Sequence, residues 1–102
     1  MLVQAGEVYT PIIFELFQEE YEIFQGAIIN QCIESEGGHQ YVVGLFDSEK
    51  KYVVWGNKEE LIVFCTCQKF EMIGILCSHA HKVLDTMSIK QIPNRYILKR
   101  WR

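Results

Sequence analysis

The sequence predicts a small α+β domain in which a helix is followed by an antiparallel β-meander and then by a second helix. Apolar residues recur every three or four positions between residues 11 and 24, and this helical period returns after residue 78. Between them lie runs rich in Val, Tyr and Trp, separated by turn residues. A chain of 102 residues has the length of one domain. We therefore expect one structural domain with three segments, at residues 1–26, 27–60 and 61–102.

The first predicted helix begins at Thr10 and Pro11, because Thr is a good N-cap and Pro fits the first helical position. It is predicted to stop at Gly26. Its apolar face consists of four residues at spacings of three and four, which are Ile13, Phe17, Tyr21 and Phe24. We expect this face to pack in the core. Three acidic residues lie largely off it, namely Glu19, Glu20 and Glu22.

Four strands are predicted after this helix. They are rich in β-branched and aromatic residues and cover residues 27–34, 40–46, 51–55 and 61–66. A Gly-Gly turn at 37–38 and a hairpin connection at 47–50 separate the first three, and Gly56-Asn57 is predicted to break the third. Connections this short favour antiparallel neighbours over parallel βαβ units.

The last third of the chain is predicted to be helical in two places. Helical periodicity runs from Ser78 to Met87, with the apolar positions at Ala80, Val83 and Leu84. A short terminal helix is expected from Asn94 to Trp101, after Pro93.

Composition excludes two broad classes. Hydrophobic residues make up 49% of the chain and charged residues 23%, which is typical of a globular domain and not of a disordered one. The longest uninterrupted apolar run, residues 61–65, is far shorter than the roughly 20 residues that span a bilayer. Since Lys50 is the first basic residue and no long apolar run precedes it, we expect no signal peptide and no membrane partner.

Charge is distributed unevenly along the chain. Nine acidic residues and no Lys or Arg lie in residues 1–49, whereas ten basic and four acidic residues follow. The candidate phosphate-binding residues come after the last acidic residue, Asp85, and are Lys90, Arg95, Lys99, Arg100 and Arg102. Lys69 and Lys82 could add to them. A solvated tail explains the same pattern, and the net charge of −3 does not favour strong non-specific DNA binding.

The clearest chemical signal is a cysteine and histidine motif. Cys65 and Cys67 form a CxC pair, and after nine residues Cys77 and His79 form a CxH pair. Three thiolates and one imidazole are a preferred tetrahedral donor set for Zn²⁺. Residues two apart in a strand point to the same side, so both thiolates of the first pair can face one ion.

The second pair lies at the predicted start of a helix, whose positive end favours the thiolate form of Cys77. Gly74 permits the turn that brings the two pairs together. A site with four protein ligands has no open coordination position, so we expect a structural zinc site and no enzyme activity. The predicted fold is therefore a zinc-stabilised α+β domain that ends in a ββα-like finger and a short helix.

Two further residues leave alternatives open. His81 lies four residues after Cys77 and shares its face if Cys77 is already helical, so geometry alone leaves His81 as a rival to His79. The fourth cysteine, Cys32, is far from the motif in sequence, and we expect it to be a buried apolar residue.

The motif and its surroundings resemble the SWIM-type zinc finger of the plant far-red impaired response and far-red elongated hypocotyl family, which is related to Mutator-like transposases. The matching segments are Cys65–Glu71, Gly74–His79, Lys82–Leu84, Ile92-Pro93 and Tyr96–Trp101, with Tyr9–Pro11 and Phe17-Gln18 upstream. The family prefers an aliphatic residue where this chain has His81. The resemblance covers most of the chain and is strongest over residues 65–101.

The resemblance implies a nuclear transcription regulator derived from a transposase, of which this chain is the C-terminal finger. It implies Cys65, Cys67, Cys77 and His79 as the zinc ligands. The partners it implies are DNA, other proteins or a second copy of the chain, and no small-molecule substrate. The alternative to a DNA-binding role is a module that only self-associates or binds a protein partner.

Overall fold

The computed structural model describes residues 1–35, 37–45 and 49–101, and it has the expected α+β architecture. The helices and strands are α1 (Leu2–Val8), α2 (Pro11–Phe24), β1 (Ala27–Ser35), β2 (Gly38–Leu45), β3 (Lys51–Asn57), β4 (Ile62–Cys65), α3 (Lys69–Ile73) and α4 (Ser78–Thr86). Two 3₁₀ turns follow, Asn94–Tyr96 and Lys99–Trp101. The predicted meander is confirmed, because the four strands pair antiparallel in the order β1-β2-β3-β4.

The two faces of the sheet differ because successive side chains of a strand point to opposite sides. The inner face carries buried residues such as Val43 and Val54, and helices α2 and α4 complete the core on that side. The opposite face has apolar side chains that remain exposed or only half-buried. We call this surface the outer sheet face, and it consists of Ile28, Ile33, Val42, Val53, Trp55, Ile62 and Phe64.

The core takes residues from all three predicted segments. It runs from Ala5 in α1 through Phe17 in α2 and the inner sheet face to Leu84 in α4 and Ile97 near the C-terminus. Burial of a large apolar side chain contributes about 1.5–3 kcal/mol. The zinc-motif segment therefore packs against the N-terminal helices as well as against the sheet.

Some elements differ from the sequence prediction. Helix α1 was not predicted, because it is short, contains Gly6 and buries fully only Ala5. The side chain of Gln4 bonds to the backbone of Ile92, accepting from its N–H at 2.7 Å and donating to its C=O at 3.1 Å. This contact joins residues 88 positions apart, so no local pattern indicates it.

The predicted break at Gly56-Asn57 was wrong, because both residues continue β3. The inward position of Gly56 lies against Val83 and Met87 of the α4 region, where a Cβ atom would be only 3.1–3.2 Å from their side chains. Glycine here thus allows the helix to approach the sheet closely. The predicted terminal helix was also wrong, because Ile97 is buried in an extended conformation between two 3₁₀ turns. Phe46 and half of the predicted hairpin connection lie outside the described residues.

Candidate metal centre

The four residues of the motif meet at one point of the structure. Cys65 ends β4, Cys67 lies in the following turn, Cys77 is the N-cap of α4, and His79 is in its first turn. Their sulfur and ring nitrogen atoms all lie within 4.8 Å of one another. Three of the side chains are buried, and Cys67 is half-buried.

These separations fit the tetrahedron that zinc requires. Bonds of about 2.3 Å to sulfur and about 2.0–2.1 Å to nitrogen give edges of about 3.8 Å between sulfurs and about 3.6 Å between sulfur and nitrogen. The Cys65 Sγ and His79 Nδ1 atoms are 3.6 Å apart. The donor set, three thiols and one imidazole, is also the one that Zn²⁺ favours.

The backbone around the cluster is built to support thiolates. The N–H of Cys67 donates to Cys65 Sγ at 3.5 Å, and the N–H of Ala80 donates to Cys77 Sγ at 3.4 Å. Two residues between the pairs, at the two ends of α3, have left-handed backbone conformations, Gln68 at φ 59° and Gly74 at φ 93°. The predicted role of Gly74 is borne out by this left-handed conformation, which glycine adopts without strain.

Two of the thiols, those of Cys67 and Cys77, have raised pKa values and therefore hold their protons at neutral pH without a metal. The hydrogen bond with Cys65, together with burial, raises the pKa of Cys77 to about 12. Burial raises the pKa of Cys67 as well, although a backbone hydrogen bond from Lys69 offsets part of this. As expected for a helix start, the hydrogen bond from the Ala80 N–H lowers the pKa of Cys77. This lowering is smaller than the rise caused by the Cys65 hydrogen bond and by burial. A metal ion must therefore displace protons when it binds.

The structure separates the two candidate histidines. His79 belongs to the cluster, and the ring of Tyr52 lies against it with centroids 4.2 Å apart. His81 points instead into an aromatic pocket, where its ring meets Phe17 edge-on at 4.8 Å. Burial, with a smaller contribution from the N-terminal amino group, lowers the pKa of His81 to about 4. His79 is thus the histidine that the fold brings to the thiols.

The remaining candidates lie elsewhere. Cys32 is exposed on the edge strand β1, so the expectation that it is buried was wrong. An edge strand has a neighbour on one side only, and a register shift between Ile29 and Gln31 precedes this residue. Nothing in its local sequence distinguishes it from a core position.

Of the candidate basic residues, Lys90, Arg95, Lys99 and Arg100 are exposed, and their described contacts do not join them into one cluster. Lys90 pairs with Asp85 at 3.2 Å, Arg95 donates to the carbonyl of Glu60, and Arg100 lies over the ring of Trp101 at 4.9 Å. Lys99 is exposed. Arg102 lies outside the described residues.

Sequence reasoning missed two residues near the centre. Glu20 was placed off the buried face of α2, but it is only 6% exposed. It faces Lys69 and the start of α4. Tyr52 was recognised as a strand residue, and its alternation with Val54 was the signal that it faces inward.

Comparison with known proteins identifies the centre. Residues 52–86 match the family model of the SWIM zinc finger. This part of the chain is a SWIM zinc finger. The matched region runs from β3 to the end of α4 and contains all four clustered side chains. The predicted zinc cofactor is therefore confirmed.

The similarity extends beyond the SWIM finger. The chain is 39% identical over 94 residues to Protein FAR1-RELATED SEQUENCE 4 of Arabidopsis thaliana, and the match covers 92% of this chain and 13% of that protein. It is 36% identical over 102 residues to Protein FAR1-RELATED SEQUENCE 1 of the same plant, with coverages of 96% and 15%. The family resemblance seen in the sequence is confirmed. The chain thus spans about one seventh of the length of these relatives, and no solved structure matches it.

The SWIM match and the clustered side chains together make this part of the chain a zinc-binding module. Among the described helices, none has the length and apolar character needed to cross a bilayer.

Proposed function

We propose that this chain is the zinc-stabilised interaction module of a nuclear transcription regulator, and that Cys65, Cys67, Cys77 and His79 bind the zinc. The convergence of these four side chains within 4.8 Å supports the ligand set. The similarity to the FAR1-related proteins supports the regulator and the nucleus. Because four protein ligands would occupy every position of a tetrahedral ion, the role of the metal is structural and we expect no catalysis there.

Zinc would join the end of β4 to the start of α4, two elements that also pack against each other in the core. Cys65 ends β4 and Cys67 lies in the turn after it, whereas Cys77 and His79 lie at the start of α4. The connection between the pairs contains α3, in which no residue is buried. Structural zinc contributes on the order of 10 kcal/mol in small modules. The metal thus fixes α4 against the sheet and thereby shapes the whole domain.

The outer sheet face supports a protein contact. Four of its apolar residues, Ile28, Ile33, Val53 and Phe64, are each between 37% and 47% exposed. Among the described strand residues on that side, Lys51 at the rim is the only charged one. Adjacent apolar residues of this kind mark interaction sites more often than they mark ordinary surface.

The partner we propose for this face is a second copy of the chain. Two such faces can pack without opposing like charges, in the manner of stacked sheets. Four strands about 4.8 Å apart and about 23 Å long present roughly 450 Å² per copy. Stable interfaces bury about 800 Å² per partner, so the dimer should be weak and concentration-dependent.

Sedimentation equilibrium of the zinc-loaded protein over a wide concentration range tests this contact. We expect reversible dimers that Val53→Lys abolishes, because a buried unpaired ammonium is costly. Met72→Lys is the matched control, since Met72 is 77% exposed but lies on α3. A protein that remains monomeric at every concentration, or one that dimerises equally with Val53→Lys, would exclude the outer sheet face.

DNA contact is the second candidate function. The exposed residues Lys90, Arg95, Lys99 and Arg100 favour it, because no acidic residue follows Asp85. Two contacts weigh against DNA binding, the ion pair of Lys90 with Asp85 and the stacking of Arg100 on Trp101, since in both the positive charge already has a partner within the chain. This candidate predicts binding governed by phosphate charge.

A titration of labelled duplex DNA with the zinc-loaded protein separates the two candidates. DNA binding would weaken steeply between low and physiological salt and would fall with Lys99→Glu and Arg100→Glu. Lys58→Glu, an exposed change in the turn before β4, is the charge-matched control. Absence of binding at low salt would leave protein contact as the function of the domain.

A further inference from the structure

Glu20 is a buried carboxylate whose position in α2 does not follow from the apolar face of that helix. It is only 6% exposed, and carboxylates are rarely buried unless they are paired. Its Oε1 atom accepts a hydrogen bond from the backbone N–H of Ser78 at 2.9 Å. Its Oε2 atom accepts one from Lys69 Nζ at 2.7 Å. Both oxygens are thus engaged, as burial of a charge requires.

The two partners of Glu20 are neighbours of the proposed zinc ligands. Lys69 lies two residues after Cys67, and its backbone N–H bonds to the Cys67 thiol. Ser78 lies between Cys77 and His79, at the first residue of α4. One carboxylate therefore connects the segment after the CxC pair to the segment that carries the CxH pair.

We propose that Glu20 is a positioning residue for the zinc centre, acting from a helix that lies outside the matched residues 52–86. This inference rests on the proposed ligand set. Glu20 fixes the distance between the two ligand-bearing segments, so that the thiols and the imidazole are already gathered before an ion arrives. Hydrogen-bonded groups just outside a metal's ligands orient those ligands, and their loss commonly weakens metal binding about 10–100-fold.

The location of Glu20 explains why a carboxylate fits there. The backbone N–H groups at the start of α4 carry partial positive charge, and Lys69 supplies a full positive charge on the other side. Charge-assisted hydrogen bonds of this kind are stronger than neutral ones. The helix α2 is consequently part of the metal centre, although none of its residues is a proposed ligand.

The first test compares zinc affinity in Glu20→Gln and Glu19→Gln, measured by competition with a chelator of known affinity. Both changes remove one negative charge from α2, but Glu19 is exposed. We expect a loss of about 10–100-fold for Glu20→Gln and none for Glu19→Gln. Lys69→Met removes only the ion pair, from a side chain that is 33% exposed, so its loss should be smaller and in the same direction.

A second readout separates positioning from general stability. Cobalt(II) replaces zinc in such sites, and its visible absorption reports the geometry of the ligands. In the fully loaded protein, Glu20→Gln should change the cobalt bands, whereas Val43→Ala, a core change in β2, should lower stability and leave the bands unchanged. Cys67→Ser serves as the reference for loss of a ligand.

The outcomes are distinct. Unchanged affinity and unchanged cobalt bands in Glu20→Gln, with metal lost in Cys67→Ser, would overturn the role of Glu20 and leave the ligand set intact. A lower affinity with unchanged bands, matching Val43→Ala, would also overturn it, since that is a purely structural effect. Retention of the metal by Cys67→Ser would instead refute the ligand set on which the inference rests.

Discussion

Replacement of His81 by leucine should stabilise the protein and leave its zinc in place. The His81 side chain is only 1% exposed, and within the described residues neither ring nitrogen has a hydrogen-bond partner. Its neighbours are the rings of Phe17, Tyr21 and Phe24. Leucine has a similar size and fits this apolar surrounding without a polar atom to desolvate.

The magnitude follows from the number of unpaired atoms. A buried polar group without a partner costs about 1–3 kcal/mol. A cavity of about 180 Å³ adjoins His81, but both ring nitrogens are themselves buried and have no hydrogen-bond partner among the described residues. Counting the cost of only one of the two nitrogens as a lower bound, the free energy of unfolding should rise by at least about 1–3 kcal/mol at pH 7.

The gain should increase as the pH falls. The folded protein lowers the pKa of His81 to about 4, whereas an unfolded histidine titrates near 6.5. Between these two values the unfolded state binds a proton at His81 and the folded state does not. The wild-type free energy of unfolding therefore declines as the pH falls from about 6.5 to about 4. At pH 5 this adds about 2 kcal/mol to the advantage of leucine.

Urea unfolding followed by circular dichroism, in excess zinc at pH 7 and pH 5, measures this gain. His79→Ala is the matched change at the neighbouring histidine and should release the metal. A His81→Leu protein that is less stable than wild type, or that loses its zinc, would refute the reasoning and restore His81 as a ligand candidate.

Cys67→Ser should unfold the segment around residues 60–90 and release zinc, whereas Cys32→Ser, at an exposed residue, should do neither. Protease sensitivity measures the unfolding and zinc content measures the release. Zinc loss in Cys32→Ser would contradict the proposed ligand set. Because Cys67 and Cys77 both have raised pKa values, zinc binding at neutral pH should release at least two protons, and its apparent affinity should rise about 100-fold per pH unit. Calorimetry in buffers of different ionisation enthalpy counts these protons, and a count of zero would be inconsistent with thiol ligands. Gly74→Ala should cost about 1–3 kcal/mol in urea unfolding, since Gly74 has φ 93° and a Cβ would collide with Trp101 and Leu98; an unchanged midpoint would disprove that constraint.

The parts of this protein that the sequence predicted are those encoded by local patterns. The helix from Pro11 and the strands of the meander follow from spacing and turn residues, and the structure confirms them. The clustering of Cys65 and Cys67 with Cys77 and His79 was also predicted, and a helix start places the second pair as expected. The strand argument for the first pair was wrong, because β4 ends at Cys65 and Cys67 lies in the turn after it.

The parts that were missed depend on contacts between distant residues. Glu20 is buried because Lys69 and Ser78 come to it from the other end of the chain. Helix α1 is held by the contact of Gln4 with the backbone near the C-terminus. Gly56 is a typical strand breaker in sequence, and only the approach of α4 explains why it continues β3. No local pattern encodes these contacts, so they require the folded structure.

X-ray absorption at the zinc edge of the purified protein tests the central claim most directly. The account predicts one zinc per chain with three sulfur neighbours at about 2.3 Å and one nitrogen neighbour at about 2.0–2.1 Å. Loss of the nitrogen neighbour in His79→Ala, with the spectrum of His81→Leu unchanged, would complete the assignment. Four sulfur neighbours, or two sulfurs and two nitrogens, would contradict the ligand set and implicate Cys32 or His81 instead.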